Sequence, residues 1–389
     1  MPSSPYYIYR RWYLKLAARL LDSLGMIYRA FTPRKPPFNA AKIRRILAIR
    51  LDHIGDVLMT RPALIALHRA FPEAQIDFLI SRDIAPLFRN QSEIHNVVES
   101  QGHWFARKTS LPRMVREFYR LAMEIQSRDY DLVIDFRGDV RHNFLMALAR
   151  VPERWGYGVT GGGFLLTRQG NYDRTMHQVG LNMNLIRELL PAFASTEGAP
   201  LTVTAAQTEE FWARFGREFV LSHDRPRILV HPSAAYPSKR WPAENFRELI
   251  KRLIENQSGQ IILLGTEDEK SHFTAGDFAP GQLIDLRGCT RLEDLPVLYD
   301  ACQLFIGNDS GPAHLAAAQG LPLVVIFSGT NRWEVWHPWS AKLHLVRHEV
   351  PCSPCESREC PLKHHDCMKL ISLDEVYSAA VSALAGSPS

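Results

Sequence analysis

Three short stretches of the chain hold residues able to do chemistry. In Arg50-Leu51-Asp52-His53-Ile54-Gly55-Asp56, Gly55 permits a tight turn and Asp56 sits where a helical pattern starts. A carboxylate there can cap the helix; facing a substrate, it can act as a general base. In His231-Pro232-Ser233-Ala234-Ala235-Tyr236-Pro237-Ser238-Lys239-Arg240-Trp241-Pro242, small residues such as Ser233 leave backbone N–H groups open to phosphate oxygens. Lys239 and Arg240 add cations just before the next helix, although such a stretch can also be a solvated basic turn. In Gly307-Asn308-Asp309-Ser310-Gly311-Pro312-Ala313-His314, Gly311 and Pro312 place the loop at a helix N-terminus, whose dipole favours an anion. His314 can donate to a diphosphate there, or serve as a capping or core residue. One loop therefore suits proton abstraction and two suit a diphosphate. The first lacks G-x-G-x-x-G, so a dinucleotide fingerprint is not supported.

These loops need a scaffold that brings them together. The 389 residues are too many for one ordinary core, and two domains are expected. Ile43 to Leu51 reads as a buried parallel strand, followed by a helix from Val57 to Phe71 and a strand over Ile76 to Ile80. A helix over Leu111 to Arg128 precedes the strand Asp131 to Asp135. The pattern restarts with strand Ile228 to His231, helix Pro242 to Asn256 and strand Gln260 to Leu264. Helix Leu292 to Ala301, strand Leu304 to Gly307 and helix Pro312 to Gln319 follow, and strand Pro322 to Phe327 closes the series. A last helix spans Leu373 to Leu384. Strands alternating with helices predict an α/β fold of two doubly wound, Rossmann-like parallel sheets. In such sheets ligands bind beyond the carboxyl ends of the strands, which is where all three loops fall. The expected boundaries are a basic amphipathic arm (1–40), an N-terminal domain (41–205), a C-terminal domain (206–372) and a terminal helix and tail (373–389). The inter-domain connection is expected within Ala205 to Asp224.

Composition is that of a soluble globular protein, 46% hydrophobic and 22% charged. No run of about 18 uncharged apolar residues occurs, so no bilayer-spanning helix is expected. Arg10, Arg11, Lys15 and Arg19 interrupt the N-terminal apolar residues, so no secretory leader is expected either. The net charge of +5 is unevenly placed. Arg10, Arg11, Lys15, Arg19, Arg29, Arg34, Lys35, Lys42, Arg44 and Arg45 face the single acid Asp22 between Arg10 and Arg45. Trp12, Leu16, Leu20, Leu24, Ile27 and Phe31 form one apolar stripe at helical spacing, with Tyr6, Tyr7, Tyr9, Tyr13 and Tyr28 around it. Such a helix suits an anionic membrane surface; packed against its own protein, it would need no partner. No nucleic-acid-binding module follows it.

Cys352, Cys355, Cys360 and Cys367, spaced C-x2-C-x4-C-x6-C with His364 and His365 inside, could hold a structural zinc. They could equally be structural thiols or a disulfide. Cys289 and Cys302 read as small buried hydrophobes. Arg137, Arg141 and His142 follow a strand end and could meet acceptor phosphates or carboxylates, or equally lie on the solvated surface. The loops Gly102 to Leu111 and Gly156 to Gly170 match no recognisable chemistry.

At its three loops the sequence resembles the family 9 glycosyltransferases, the ADP-heptose:lipopolysaccharide heptosyltransferases. The likeness rests on Gly55-Asp56-Val57-Leu58-Met59-Thr60-Arg61-Pro62, Ser238-Lys239-Arg240-Trp241-Pro242 and Asn308-Asp309-Ser310-Gly311-Pro312-Ala313-His314. Tyr130 to Asp135 and the cysteine segment add to it, and it runs from about Ile43 to Leu373. The resemblance implies a GT-B fold: two Rossmann-like domains facing each other across a cleft, the acceptor in the N-terminal domain and the donor in the C-terminal one. It implies inverting transfer of heptose from ADP-heptose to a lipid-linked, lipopolysaccharide-core type acceptor, with no required metal or other cofactor. By position, Asp56 matches the catalytic base and Lys239 a lysine on the donor phosphates. Asp309, Ser310, Gly311 and His314 match the motif that meets donor sugar and diphosphate, and Glu269 a carboxylate on the nucleotide ribose. Arg240 and Ser233 complete the expected donor site. The related cysteine segments have no known catalytic metal. The implied location is cytoplasmic, peripheral on the inner membrane. Two other readings compete: the same fold with another nucleotide sugar and glycan acceptor, or a non-catalytic membrane-associated protein stapled by a metal at its cysteines.

Overall fold

The computed structural model describes residues 7–9, 11–31, 38–100, 110–187, 190, 198–216, 225–274, 278–279 and 281–386, the side chain of Tyr28 excepted. Tyr6, Arg10, Arg34 and Lys35 of the basic arm lie outside these, as do most of the 102–111 loop and residues 217–224 of the expected connection. The chain divides into two units, Met1–Gly198 and Ala199–Ser389.

The first unit opens with α1 (Trp12–Ala30) and continues through β1 (Arg45–Ile49), α2 (Ile54–Leu58), α3 (Arg61–Ala70), β2 (Gln75–Ser81) and β3 (Asn96–Ser100). Then come α4 (Leu111–Ser127), β4 (Leu132–Asp135), α5 (Val140–Leu148), β5 (Glu153–Gly156), β6 (Arg168–Gln169) and α6 (Gln178–Arg187). The second unit runs α7 (Ala205–Phe215), β7 (Arg227–His231), α8 (Ala243–Gln257), β8 (Gln260–Leu263), β9 (Leu283–Asp285), α9 (Leu295–Asp300) and β10 (Leu304–Asn308). It ends with α10 (Gly311–Ala318), β11 (Leu323–Phe327), α11 (Trp333–Trp336), β12 (Leu343–Arg347), α12 (Asp366–Lys369) and α13 (Leu373–Leu384).

The strands of the first unit pair in the order β3-β2-β1-β4-β5-β6 and those of the second in the order β12-β11-β10-β7-β8-β9. Every pairing is parallel. Numbered within its own unit, each sheet has the doubly wound order 3-2-1-4-5-6. Strands covered by helices on both faces need apolar side chains pointing both ways. Ile46-Leu47-Ala48-Ile49 and Leu323-Val324-Val325-Ile326 are accordingly buried at every position. In the second unit, Trp241, Phe246 and Leu249 meet Ile228, Val230, Ile306 and Val324 in one cluster. The last helix joins that cluster: α13 packs on α8, β10, β11 and β12, burying Val376, Ala380 and Ala383.

Three expectations about elements need correction. The helix read as Val57 to Phe71 is two: α2 starts at Ile54, and a break at Met59 and Thr60 precedes α3, which has proline in its first turn. The backbone of Pro62 offers no N–H for a helical bond, so a helix restarts there at no cost. The second sheet does not close at Phe327, because β12 pairs beyond β11. The segment from Ala205, read as connection, forms a helix whose Thr204 and Gln207 make a reciprocal capping box.

Candidate active site

Each doubly wound sheet has a switch point where successive connections leave in opposite directions, and the diverging loops open a crevice there. In the first unit that point lies between β1 and β4, in the second between β7 and β10. All three chemistry-bearing loops end strands flanking these two points.

In the first unit, His53 rather than Asp56 holds the N-cap position of α2, with no side-chain cap bond, and Asp56 lies within the helix's first turn. The capping role for Asp56 is therefore wrong. Its Oδ1 accepts instead from Nη2 of Arg50 at 3.1 Å. Arg50 is buried, and its Nη1 donates to the Phe136 carbonyl at 2.6 Å, tying the end of β1 to the end of β4. Asp52 lies 3.5 Å from Arg50 Nε and 3.5 Å from Arg137 Nη1. Burial, then the nearby charge of Asp52, push the Asp56 carboxyl above its ordinary range, while Arg50 and His53 pull the other way. A carboxylate so placed is a stronger base than one in water, and its side chain keeps 13% exposure, enough to meet a substrate hydroxyl.

The β4 loop is built around Asp135, which accepts from the backbone N–H groups of Gly138 (2.8 Å) and Asp139 (3.1 Å) and bonds His142 Nδ1 at 2.8 Å. Gly138 has φ +77° there, and a Cβ would collide with Tyr157 and Val159. His142 is completely buried, so it neither meets an acceptor nor lies on the surface. Arg137 and Arg141 do line an open cavity of about 670 Å³, together with Tyr9, Arg11, Asp139 and Thr160.

In the second unit the expected donor residues converge. Asn308, at the end of β10, donates from Nδ2 to the Ser233 carbonyl (3.2 Å) and accepts from the Trp241 N–H (3.0 Å), strapping both ends of the β7 loop to β10. That strap brings Lys239 Nζ to 2.6 Å from Asp309 Oδ2. His314, on the first turn of α10, has Nε2 3.9 Å from Asp309 Oδ1. Burial holds its pKa at about 4, against the pull of Asp309, so at neutral pH it is a neutral hydrogen-bonding ring and not a cation. Its Nδ1 is buried with no hydrogen-bond partner. Ser310 Oγ lies 3.2 Å from His231 Nδ1, and His231 Nε2 lies 3.3 Å from Glu269 Oε2. The same Glu269 oxygen accepts from the Thr266 N–H at 2.8 Å. Burial would raise the Glu269 carboxyl, but the His231 contact and the Thr266 N–H outweigh it and hold the pKa at about 2. Glu269 is thus the carboxylate built into this edge, whereas Glu267 pairs with exposed Lys270. Ser233 is buried with Oγ on His272 Nδ1 at 2.8 Å, and Arg240 Nε donates to the Ala234 carbonyl at 2.8 Å.

Four residues that organise these loops were given no role from sequence: Arg50, Asp135, His231 and Asn308. Each stands at or just past the carboxyl end of a strand flanking a switch point, and that position was the available signal.

Among the described residues, no group of three or more His, Cys, Asp or Glu side chains is arranged to hold a metal ion, and all six cysteines are free thiols. The four cysteines of the cluster lie near one another as unpaired thiols. The segment braces the loop after β7. Ser238 Oγ donates to the Ser357 carbonyl (2.7 Å), the Ser238 N–H donates to Arg358, and His365 Nε2 lies 2.9 Å from the Ser238 carbonyl. Cys302 is buried as expected, but Cys289 is exposed.

Comparison with known proteins places these features in a family. Residues 118–365 match glycosyltransferase family 9 (heptosyltransferase). Lipopolysaccharide heptosyltransferase 3 of Escherichia coli is 26% identical over 302 residues, covering 74% of this chain and 84% of that protein. Lipooligosaccharide heptosyltransferase 2 of Campylobacter jejuni is 24% identical over 339 residues, covering 86% and 96%. Among solved structures, a family 9 glycosyltransferase from Veillonella parvula shares the fold with a TM-score of 0.77 at 20% identity, covering 90% of this chain and 99% of its own. The Escherichia coli ADP-heptose LPS heptosyltransferase II does so with a TM-score of 0.68 at 22% identity, covering 88% and 99%.

Proposed function

The chain belongs to glycosyltransferase family 9, the heptosyltransferases, and on that premise we propose that it moves heptose from ADP-heptose to a lipopolysaccharide-core type acceptor with inversion. The observation that carries this reading is the convergence of Lys239, Asp309, Ser310, His314 and Glu269 at the switch point of the second sheet, in the family's own motifs.

The second unit binds the donor. Lys239 and Arg240 face the diphosphate, the N–H groups at the start of α10 add the positive end of its dipole, and the neutral His314 ring lies beside Asp309 with Nε2 toward it. As the bond to the anomeric carbon lengthens, negative charge grows on the departing diphosphate. Preorganised cations and amides stabilise that charge more than the ground state, which is the condition for faster chemistry. Glu269, ionised at any physiological pH, accepts hydrogen bonds from the ribose hydroxyls.

The first unit supplies the base. Asp56 takes the proton of the acceptor hydroxyl as that oxygen attacks the anomeric carbon on the face opposite the diphosphate, so one bond forms as the other breaks and configuration inverts. Arg50 orients the carboxylate through Oδ1 and leaves Oδ2 for the proton. The arginine-lined cavity beside the β4 loop suits anionic groups on the acceptor. An acceptor carried on a lipid places the enzyme at the cytoplasmic face of the inner membrane.

The test is a transfer assay with purified protein, ADP-heptose and a truncated core acceptor. Turnover by the wild type and its loss in Asp56→Asn are expected; a protein that neither binds ADP-heptose by calorimetry nor transfers from it would sink the reading.

A further inference from the structure

The first helix is docked the wrong way round for a helix that serves only its own fold. Its contact with the rest of the first unit runs along a seam of Ala18, Leu21, Asp22 and Gly25. Asp22 Oδ1 accepts from the Gly162 N–H at 2.6 Å, and its Oδ2 accepts from the Tyr7 hydroxyl at 2.7 Å. Ala18 is buried, with a Cβ on Gly161 reaching within 3.3 Å of it. Gly25 lies so close to Phe164 that a Cβ there would overlap the ring. The Ile8 N–H and Tyr9 hydroxyl bond the carbonyls of Val159 and Thr160, pinning the chain just before the helix.

The apolar stripe is left outside. Trp12 is 73% exposed, Leu16 47%, Leu20 58%, Leu24 67%, Ile27 59% and Phe31 85%. These positions share about a third of the helix circumference at ~100° per residue, so they form one continuous band and not scattered surface hydrophobes. Lys15, half-exposed, and Arg19, exposed, border the band, with Arg11 and Arg29 at the helix ends. The helix's one acid, Asp22, is spent on the docking seam. No helix among the described residues is long and apolar enough to cross a membrane.

We propose that this face of α1 is a preformed seat for an anionic lipid bilayer surface, lying parallel to it with the stripe about 5–10 Å into the boundary between headgroups and acyl chains. Charge decides between this occupant and a second copy of the chain. Two copies meeting through the stripe would bring Lys15 and Arg19 against their counterparts with no acid on the exposed helix to offset them, whereas anionic headgroups neutralise them. The seam makes the seat rigid, so a fixed part of the protein faces the lipid. Arg11 and Leu14, in and just before the first turn, line the cavity that also holds Arg137 and Arg141. Seating α1 therefore brings that cavity to headgroup level, where the anionic sugar of a lipid-anchored acceptor lies. This last clause rests on the proposed transferase reading; the seat itself does not.

Co-sedimentation of the full chain with phosphatidylcholine vesicles, with and without phosphatidylglycerol, tests the seat. The wild type is expected to bind the anionic vesicles and to bind pure phosphatidylcholine much less. Leu20→Glu/Leu24→Glu, both exposed positions, is expected to lose about tenfold or more of that binding while circular dichroism and ADP affinity stay unchanged. Equal binding by wild type and variant would overturn the proposal, as would wild-type indifference to anionic lipid. So would a concentration-dependent dimer in sedimentation velocity that the double variant abolishes, with no vesicle binding. Under the transferase reading, the variant should slow transfer to a vesicle-embedded acceptor but not to a water-soluble one. If the wild type transfers to neither, the transferase reading fails while the vesicle result still decides the seat.

Discussion

Lys239 Nζ lies 2.6 Å from Asp309 Oδ2, joining the loop after β7 to the loop before α10 across the switch point of the second sheet. Both partners are largely withdrawn from water, the lysine at 16% and the aspartate at 3% exposure. Under the proposed transferase reading, the aspartate holds the lysine's ammonium where a diphosphate would arrive. Lys239→Met should cut kcat/KM for transfer by about 10²-fold, the scale of removing one preorganised charge at a leaving group. It should also lower stability by about 1–3 kcal/mol, because Asp309 remains buried without its cation. Steady-state kinetics and thermal melts measure the two effects; a variant with wild-type kcat/KM would remove Lys239 from the donor site.

Asp56 and Arg50 set the acid limb of the pH profile. Burial and Asp52 raise the Asp56 carboxyl, so kcat/KM should fall on the acid side with an apparent pKa above the ordinary aspartate value of ~3.9. Arg50 opposes that rise, and Arg50→Gln should move the limb to still higher pH. A limb that moved down would mean the titrating base is another group.

Stability should respond to Asp56 in the opposite sense from activity. A carboxyl raised in the fold favours the neutral form. Its contribution is therefore present below the unfolded pKa and lost as pH rises through the folded one. At pH 7 the ionised Asp56 is a cost. Asp56→Asn should abolish transfer yet melt at the same temperature as wild type or above it; a lower melting temperature would mean the Arg50 ion pair outweighs the burial.

Glu269 behaves in reverse. Held at about 2 by His231 and the Thr266 N–H, it stabilises the fold fully above its unfolded value near 4.5, and that contribution is lost between there and about pH 2. Acid melts of Glu269→Gln should be flatter than wild type over that window, and KM for the nucleotide sugar should rise about tenfold with the loss of a charge-assisted bond. Parallel acid titrations with unchanged KM would leave Glu269 with no part in ribose binding.

The cysteine segment braces Ser238 through Ser357 and His365. His365→Ala removes the contact at the Ser238 carbonyl and should raise donor KM severalfold with a smaller effect on kcat. Prolonged treatment with a chelator should leave the melting temperature where it was; a drop of several degrees would restore the metal.

Much of this was legible in the residues alone. Apolar runs and helical periodicities are local signals, and they located the central strands, α4, α8, α10 and α13 to within a residue or two. Pro242, Gly311 and Pro312 marked the starts of helices, and the three loops were visible because strand ends, small residues and charges are contiguous in sequence. The edge strands β3, β6, β9 and β12, and β5 beside β6, were not legible, being partly exposed, so that pairing and not composition makes them strands. Nor was the bond between Arg50 and Phe136, or between Asn308 and Trp241, because each spans strands made adjacent only by the order of the sheet. The stripe on α1 was plain at i, i+4 spacing, but periodicity says only that one face is apolar. Which face meets the protein was decided in three dimensions, where Gly161 lies against Ala18, the Gly162 N–H meets Asp22, and Phe164 leaves no room for a side chain at Gly25.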